Sequence, residues 1–295
     1  MLSVLIPIYN FDVTELVTSL QNQATDCKID FEILCFDDNS SETFKSKNSQ
    51  IKNINRVVYK ELQQNVGRSK IRNLLAKEAQ YEYILFLDCD SKINSKQFIA
   101  NYIKNCLPNT VVCGGRNYES SPPLQKEKHF RWWYGTNRET TTAEERTKQP
   151  YRSFMTNNFL LPKAVFLTIQ LDENLIGYGH EDTLFGLELK NKSIAIKHIN
   201  NPLCHIGLED TNEFICKTKE GIKNLLKLIE SKKIDKSVRL FRYYSLIKMM
   251  GLENKLYQYF IKNQKTIESQ FFKEKPSLKW FDLYKLCYLI LLTKE

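Results

Sequence analysis

Leu85-Phe86-Leu87-Asp88-Cys89-Asp90-Ser91 is an apolar run that stops abruptly at two carboxylates. Residues 83–87 have the length and composition of a buried strand. In extended chain, residues two apart point to the same side, so Asp88 and Asp90 can converge on one hard cation, or on a cation and a ribose. A divalent ion held there would bridge the phosphates of a nucleotide diphosphate and neutralise the charge of its departure. The competing reading is a polar turn in which Asp90 or Ser91 caps a helix over 94–102.

Outward from this stretch, residues 4–8, 31–36, 56–59 and 111–114 read as further strands. Between them Val13, Leu16, Val17 and Leu20 share one helical face, as do Ile71, Leu74, Leu75 and Ala79. Strands alternating with helices predict an α/β fold with a mostly parallel sheet. In open sheets of this type ligands sit beyond the carboxyl ends of the strands, so the polar residues that follow each strand are the candidates. Strand one runs into Pro7-Ile8-Tyr9-Asn10 and strand two into Asp37-Asp38-Asn39-Ser40. A carboxylate there can accept from a base or a ribose and a Tyr can stack on a base; alternatively Asp38 or Ser40 caps the next helix.

Two later clusters carry chemistry. Gly177-Tyr178-Gly179-His180-Glu181-Asp182 joins glycines, which permit close backbone approach, to a carboxylate pair opening a helix. One carboxylate can position an acceptor hydroxyl while the other removes its proton, although a helix N-terminus also favours acidic residues for electrostatic reasons alone. His205, after a strand-like 195–198 segment, can complete a manganese-type site begun by Asp90, or be an ordinary satisfied histidine. Residues 117–152, with Pro122-Pro123 and mixed charge, read as an irregular excursion whose one strongly apolar spot is Arg131-Trp132-Trp133-Tyr134.

With 295 residues, 42% of them hydrophobic, the chain can bury a sizeable core. Eight cysteines without a Cys-x-x-Cys pair or zinc-ligand spacing read as reduced thiols, and the start lacks the pattern of a secretory signal, so a cytoplasmic location is expected. Of the net charge of +9, the last 64 residues hold +8, from 14 Lys and Arg against 6 Asp and Glu. That basic, aromatic-rich tail reads as helical and suits either a solvated bundle face or peripheral contact with an anionic membrane. The apolar run at 286–292 is far shorter than the ~20 residues of a membrane span. Nucleic acid is not expected as a partner, because no binding motif accompanies the charge.

Taken in order, residues 3–10, Asp37-Asp38-Asn39-Ser40, the stretch from Asn65-Val66-Gly67-Arg68 to Arg72-Asn73, residues 85–90, and residues 155–163 with 172–187 resemble the inverting family 2 glycosyltransferases. The Gly-Tyr-Gly-His-Glu-Asp form also resembles a carboxyl-terminal motif of related galactosyltransferases, in which a second glycine is usual where this chain has His180. The resemblance implies a GT-A fold, a Rossmann-like mixed, mostly parallel sheet flanked by helices. That domain would cover 1–212, with a nucleotide-binding half at 1–115 and an acceptor half at 116–212, and a basic helical extension at 213–295 would follow.

The resemblance further implies that Pro7, Tyr9, Asp38, Arg72 and Asp88 surround the nucleotide, with Asp38 accepting from the base and Asp88 meeting ribose or metal. Asp90 and His205 would ligate Mn2+ or Mg2+. Glu181 would anchor the acceptor hydroxyl, Asn158, His180 and Trp133 would line the sugar and acceptor pocket, and Asp182 would be the catalytic base. The implied reaction is inverting transfer from a nucleotide diphosphate sugar, UDP-sugar by preference, to a glycan or lipid-linked acceptor in surface polysaccharide or glycolipid synthesis of bacterial type. A sugar-phosphate nucleotidyltransferase would need a glycine-rich phosphate loop where this chain has Tyr9-Asn10-Phe11-Asp12, and a dinucleotide oxidoreductase would need Gly-x-Gly-x-x-Gly. A non-catalytic sugar-nucleotide or glycan-binding subunit would have no use for Asp88, Asp90 and Asp182 together.

Overall fold

The computed structural model describes residues 1–294. In chain order the elements are β1 (Leu2–Ile8), α1 (Thr14–Asp26), β2 (Phe31–Asp37), α2 (Glu42–Asn48), β3 (Val57–Glu61), α3 (Arg68–Glu78), β4 (Tyr83–Leu87) and β5 (Ser91–Lys92). There follow α4 (Phe98–Ile103), β6 (Thr110–Cys113), β7 (Arg116–Asn117), α5 (His129–Arg138), α6 (Ala143–Thr147), β8 (Asn158–Pro162), α7 (Lys163–Ile169), α8 (Glu181–Asn191), β9 (Ala195–His198) and β10 (Leu203–His205). Four helices close the chain: α9 (Thr211–Glu230), α10 (Arg239–Met249), α11 (Glu253–Ser269) and α12 (Leu278–Leu292).

The chain groups into two compact units, the first made of residues 1–119, 139–174 and 181–207. Its main sheet has the order β3-β2-β1-β4-β8-β6-β9 and is parallel except at β8, which runs antiparallel to both neighbours. Alternate residues of each strand serve opposite faces. Leu2, Val4, Ile6 and Ile8 of β1 pack with α1 and α4, whereas Leu5 packs with α3, α7 and α8; in β4, Leu85 and Leu87 go one way and Ile84 and Phe86 the other. Both faces are therefore covered, which is why the strands read as unbroken apolar runs. A small second sheet, β5-β10-β7, forms at the carboxyl ends of β4 and β6.

The second unit comprises residues 120–138, 175–180 and 208–295, so the helical extension expected after residue 212 is joined there by two earlier segments. Phe130, Phe214, Phe260, Phe271, Phe281 and Tyr284 form its buried aromatic core, with Phe130 stacked on Phe271 at 5.0 Å. This corrects the expectation of an irregular excursion at 117–152. The segment holds α5 and α6, and Phe130 is fully buried. No helix among the described residues is long and apolar enough to cross a membrane.

Candidate active site

The chain leaves β4 at Leu87 and, after three intervening residues, forms β5, which pairs antiparallel with β10 so that Ser91 stands opposite His205. This ladder brings together two residues 115 positions apart: His205 Nε2 lies 3.0 Å from Asp90 Oδ2. The Ile206 N–H donates to the Asp90 carbonyl at 2.9 Å, and a Cβ on Gly207 would stand only 2.5 Å from that of Asp90, so a side chain is not tolerated there. Tyr118 packs edge-on against the His205 ring with centroids 5.4 Å apart.

Asp90 Oδ1 and His205 Nδ1 are buried with no hydrogen-bond partner among the described residues. Orphaned polar atoms of this kind call for an ion or a water. Burial works against the Asp90 charge, but the neighbouring His205 ring, through electrostatics and its hydrogen bond, and the positive charges of Arg116 and Arg68 outweigh it and hold the carboxyl well below the usual carboxylate range. An ionised carboxylate and an imidazole 3.0 Å apart have the spacing of neighbouring ligands on a small hard cation, whose oxygen ligands lie at about 2.1 Å. Among the described residues no cluster of three or more His, Cys, Asp and Glu exists for a metal ion. Two protein ligands suffice where substrate phosphates complete the shell, as is usual for magnesium-type sites.

Asp88 has a different role from its neighbour. Its Oδ1 accepts from Arg72 at 2.6 Å and its Oδ2 from Arg116 at 3.1 Å. Arg116 also pairs with Glu139 at 3.3 Å, and Glu139 accepts from the Tyr118 hydroxyl. Burial disfavours the Arg116 charge, yet Tyr118, Glu139, Asp88 and Asp90 together raise its pKa, so it is a fixed cation beside Asp90. Arg72 is 3% exposed and donates to Asp88 and to the Arg68 carbonyl, while its Nε is buried with no partner among the described residues.

The acidic pair that opens α8 has the opposite electrostatics. Burial, with the adjoining Glu181 charge next, pushes the Asp182 carboxyl up to about 7, although the Thr183 N–H donates to it at 2.6 Å. Glu181 is buried against Arg68 at 3.5 Å. Arg116 acts on both Asp90 and Asp182, and Arg68 both on Asp90 and on Glu181, so the two acidic pairs share one electrostatic site. Sequence reasoning missed Arg68, Arg116, Tyr118 and Glu139 as members of it. The one signal for Arg116 was its place just after the β6 strand and Gly114-Gly115.

Beyond the end of β2, Asp38 accepts from the Val66 and Gly67 N–H groups at 2.7 and 3.0 Å, pinning the turn where Gly67 takes φ +85° ahead of α3. Burial raises its pKa despite those bonds. Asp38 and Ser40 do not cap α2; the Ser40 hydroxyl accepts from Asn10 N at 2.8 Å, tying the ends of β1 and β2 together. Pro7 is half-buried in β1 and Tyr9 is exposed beyond its end. Nor do Asp90 or Ser91 cap the next helix, which starts later than expected, at Phe98.

Asn158 lies deep in the first unit. It is 1% exposed, its Nδ2 donates to the Gly115 and Asn201 carbonyls at 2.9 Å each, and its Oδ1 accepts from Tyr102 at 2.6 Å. These three bonds are all made inside the fold. His180 and Trp133 belong to the second unit, His180 with φ +71° and Trp133 half-buried on α5. There Asn224 Nδ2 donates to the Ile176 and Tyr178 carbonyls at 3.0 and 3.2 Å, stapling the loop that precedes Glu181.

The sequence profile described as Glycosyl transferase family 2 matches residues 3–166. The chain belongs to that family. A stretch of 105 residues is 37% identical to a poly(ribitol-phosphate) beta-glucosyltransferase of Bacillus spizizenii, covering 34% of this chain and 16% of that protein. In three dimensions this family 2 chain is similar to the Staphylococcus aureus TarS fragment 1-349 solved in complex with UDP, with TM-score 0.52 and 20% identity over 98% of this chain and 88% of that one. It is also similar to a mannosyltransferase of Pyrobaculum calidifontis in complex with GDP-Man and Mn2+, with TM-score 0.50 and 12% identity over 78% of this chain and 64% of that one. These likenesses show the fold, which is of the GT-A type.

Proposed function

We propose that this protein is a metal-dependent inverting glycosyltransferase that moves a sugar from a nucleotide diphosphate sugar, preferably a UDP-sugar, to an acceptor hydroxyl. The observation that carries the reading is the contrast within one site: Asp90 is held ionised beside His205, while Asp182 is held near neutrality. Asp90 and His205 would hold Mn2+ or Mg2+, and such an ion supplies Lewis-acid stabilisation of a departing diphosphate. Asp88 keeps Arg72 and Arg116 in place, which makes it a support of the site and a poor ligand itself.

Asp182 accepts the acceptor's hydroxyl proton as that oxygen bonds to the anomeric carbon and the bond to the diphosphate breaks, which inverts the centre and releases the nucleotide diphosphate. Glu181, fixed by Arg68, anchors the same hydroxyl. Tyr9, exposed at the end of β1, offers a face to the base, and Asp38 shapes the adjoining turn. The relatives named above support an acceptor in surface polysaccharide synthesis, and the charge of +8 on the last 64 residues supports a peripheral place on the cytoplasmic face of a membrane.

The test is a panel of nucleotide sugars with and without Mn2+, read by thermal shift and by nucleotide release with a polyol-phosphate acceptor. A ligand that binds only the native state raises its stability, so a metal-dependent shift with one UDP-sugar is expected. No shift with any member, with or without metal, contradicts the reading.

A further inference from the structure

Helix α10 leaves one face uncovered. Arg239, Arg242, Tyr243, Leu246, Met249 and the adjoining Met250 are all exposed, and at 3.6 residues per turn they fall within an arc of roughly 120°. Tyr244, on the opposite side, is buried. Leu246, Met249 and Met250 are 45%, 78% and 57% exposed. Single exposed apolar residues are ordinary, but a contiguous stripe of them marks an interaction surface.

The charge on this face selects the partner. The helix reads Arg-Leu-Phe-Arg-Tyr-Tyr-Ser-Leu-Ile-Lys-Met, with three basic residues and no acidic one. Among the described residues neither Arg239 nor Arg242 is paired with a carboxylate; both guanidinium groups stack on Tyr243, at 5.5 and 5.9 Å from its ring centre. Lys248 and Met249 also line an open cleft of about 880 Å³, to which Lys236 and Lys294 add charge against Glu230 and Glu253. A two-fold interface would set this patch against its own copy, gathering four arginines with no acidic residue of α10 to offset them. An anionic lipid surface neutralises the same arginines and takes up the apolar stripe, with the aromatic ring at headgroup depth.

We propose that this face of α10 docks on an anionic lipid surface, Leu246, Met249 and Met250 entering the acyl boundary and Arg239 and Arg242 meeting headgroup phosphates. It gives the transfer reading a lipid-borne acceptor, and it rests on that reading only for its purpose, because lipid binding is measured without turnover.

The experiment is co-sedimentation of the full chain with vesicles of mixed phosphatidylglycerol and phosphatidylcholine, against phosphatidylcholine alone, at low and high salt. Binding to the anionic vesicles alone, weakened by salt, is expected. Leu246→Glu with Met249→Glu, at an unchanged melting temperature, removes it, and Arg239→Ala with Arg242→Ala weakens it roughly thirtyfold at an unchanged melting temperature, each basic residue near such a surface being worth about a factor of five. No binding at low salt, equal binding to both vesicle types, or full binding by the double glutamate variant overturns the proposal. So does light scattering that shows a dimer of the parent chain and a monomer of the glutamate variant, because the stripe is then a self-association surface. Loss of transfer with vesicle binding intact would instead count against the catalytic reading alone.

Discussion

The end of β4 and the start of α8 each carry an acidic pair, and the fold gives the two pairs opposite chemistry. Around Asp90 the neighbouring His205 ring and the positive charges of Arg116 and Arg68 outweigh burial, and the carboxylate stays ionised. At Asp182 burial and the neighbouring Glu181 outweigh Arg116, and the carboxyl sits at about 7. Two carboxylates whose surroundings push their acidities apart are suited to different tasks, one to hold a cation and the other to exchange a proton. The difference is made by partners rather than by residue type. Arg116 acts on both, so the contrast depends on distance and on what else each carboxylate meets.

The strongest way to break this comparison is Asp182→Asn. Removal of a general base is expected to lower transfer by about 10²–10⁴-fold, with the circular dichroism spectrum and nucleotide affinity unchanged; turnover close to that of the parent chain would remove the base assignment.

Asn158→Ala tests whether a buried polar residue in the same half of the fold acts by chemistry or by packing. Its bonds to Tyr102, Gly115 and Asn201 lie in the core, so urea denaturation should show a loss of roughly 1–3 kcal/mol of stability from the unsatisfied partners. KM for donor and acceptor should stay put; a selective rise in either would put Asn158 in the sugar pocket.

The finest test is the pH dependence of transfer. A base at about 7 must be unprotonated to work, so the logarithm of the rate should climb as pH rises towards 7 and level off above it. Glu181→Gln removes the neighbouring negative charge that raises Asp182, and the limb should therefore move to lower pH while its slope is kept. An unmoved limb would mean that Glu181 does not act on the base.

Much of the fold was legible because burial leaves periodic traces. The two-sided strands β1, β2 and β4 are unbroken apolar runs, and α1 and α3 repeat their apolar residues at helical spacing. The helices α5 and α6 were not, because they are short and lie among polar residues and prolines, and Phe130 reveals its role only through partners from α9, α12 and the Phe271 turn. In the site, Asp90 and His205 were named from motif order, but their meeting depends on the β5-β10 ladder, which two- and three-residue strands do not announce. Arg72 and Asn158 show the limit of motif matching. A motif gives position along the chain, whereas hydrogen-bond partners decide which way a side chain points, here Arg72 towards Asp88 and Asn158 towards Tyr102.

Metal-dependent nucleotide binding, compared between Asp90→Asn and Asp182→Asn, tests the division of labour most directly. The rise in melting temperature on adding UDP is measured with Mn2+ and with a chelator. The Asp182 variant should keep the full Mn2+-dependent rise and transfer almost nothing, while the Asp90 variant should lose the Mn2+ dependence of binding. An Asp90 variant whose UDP-induced rise depends on Mn2+ as strongly as that of the parent chain would contradict the account.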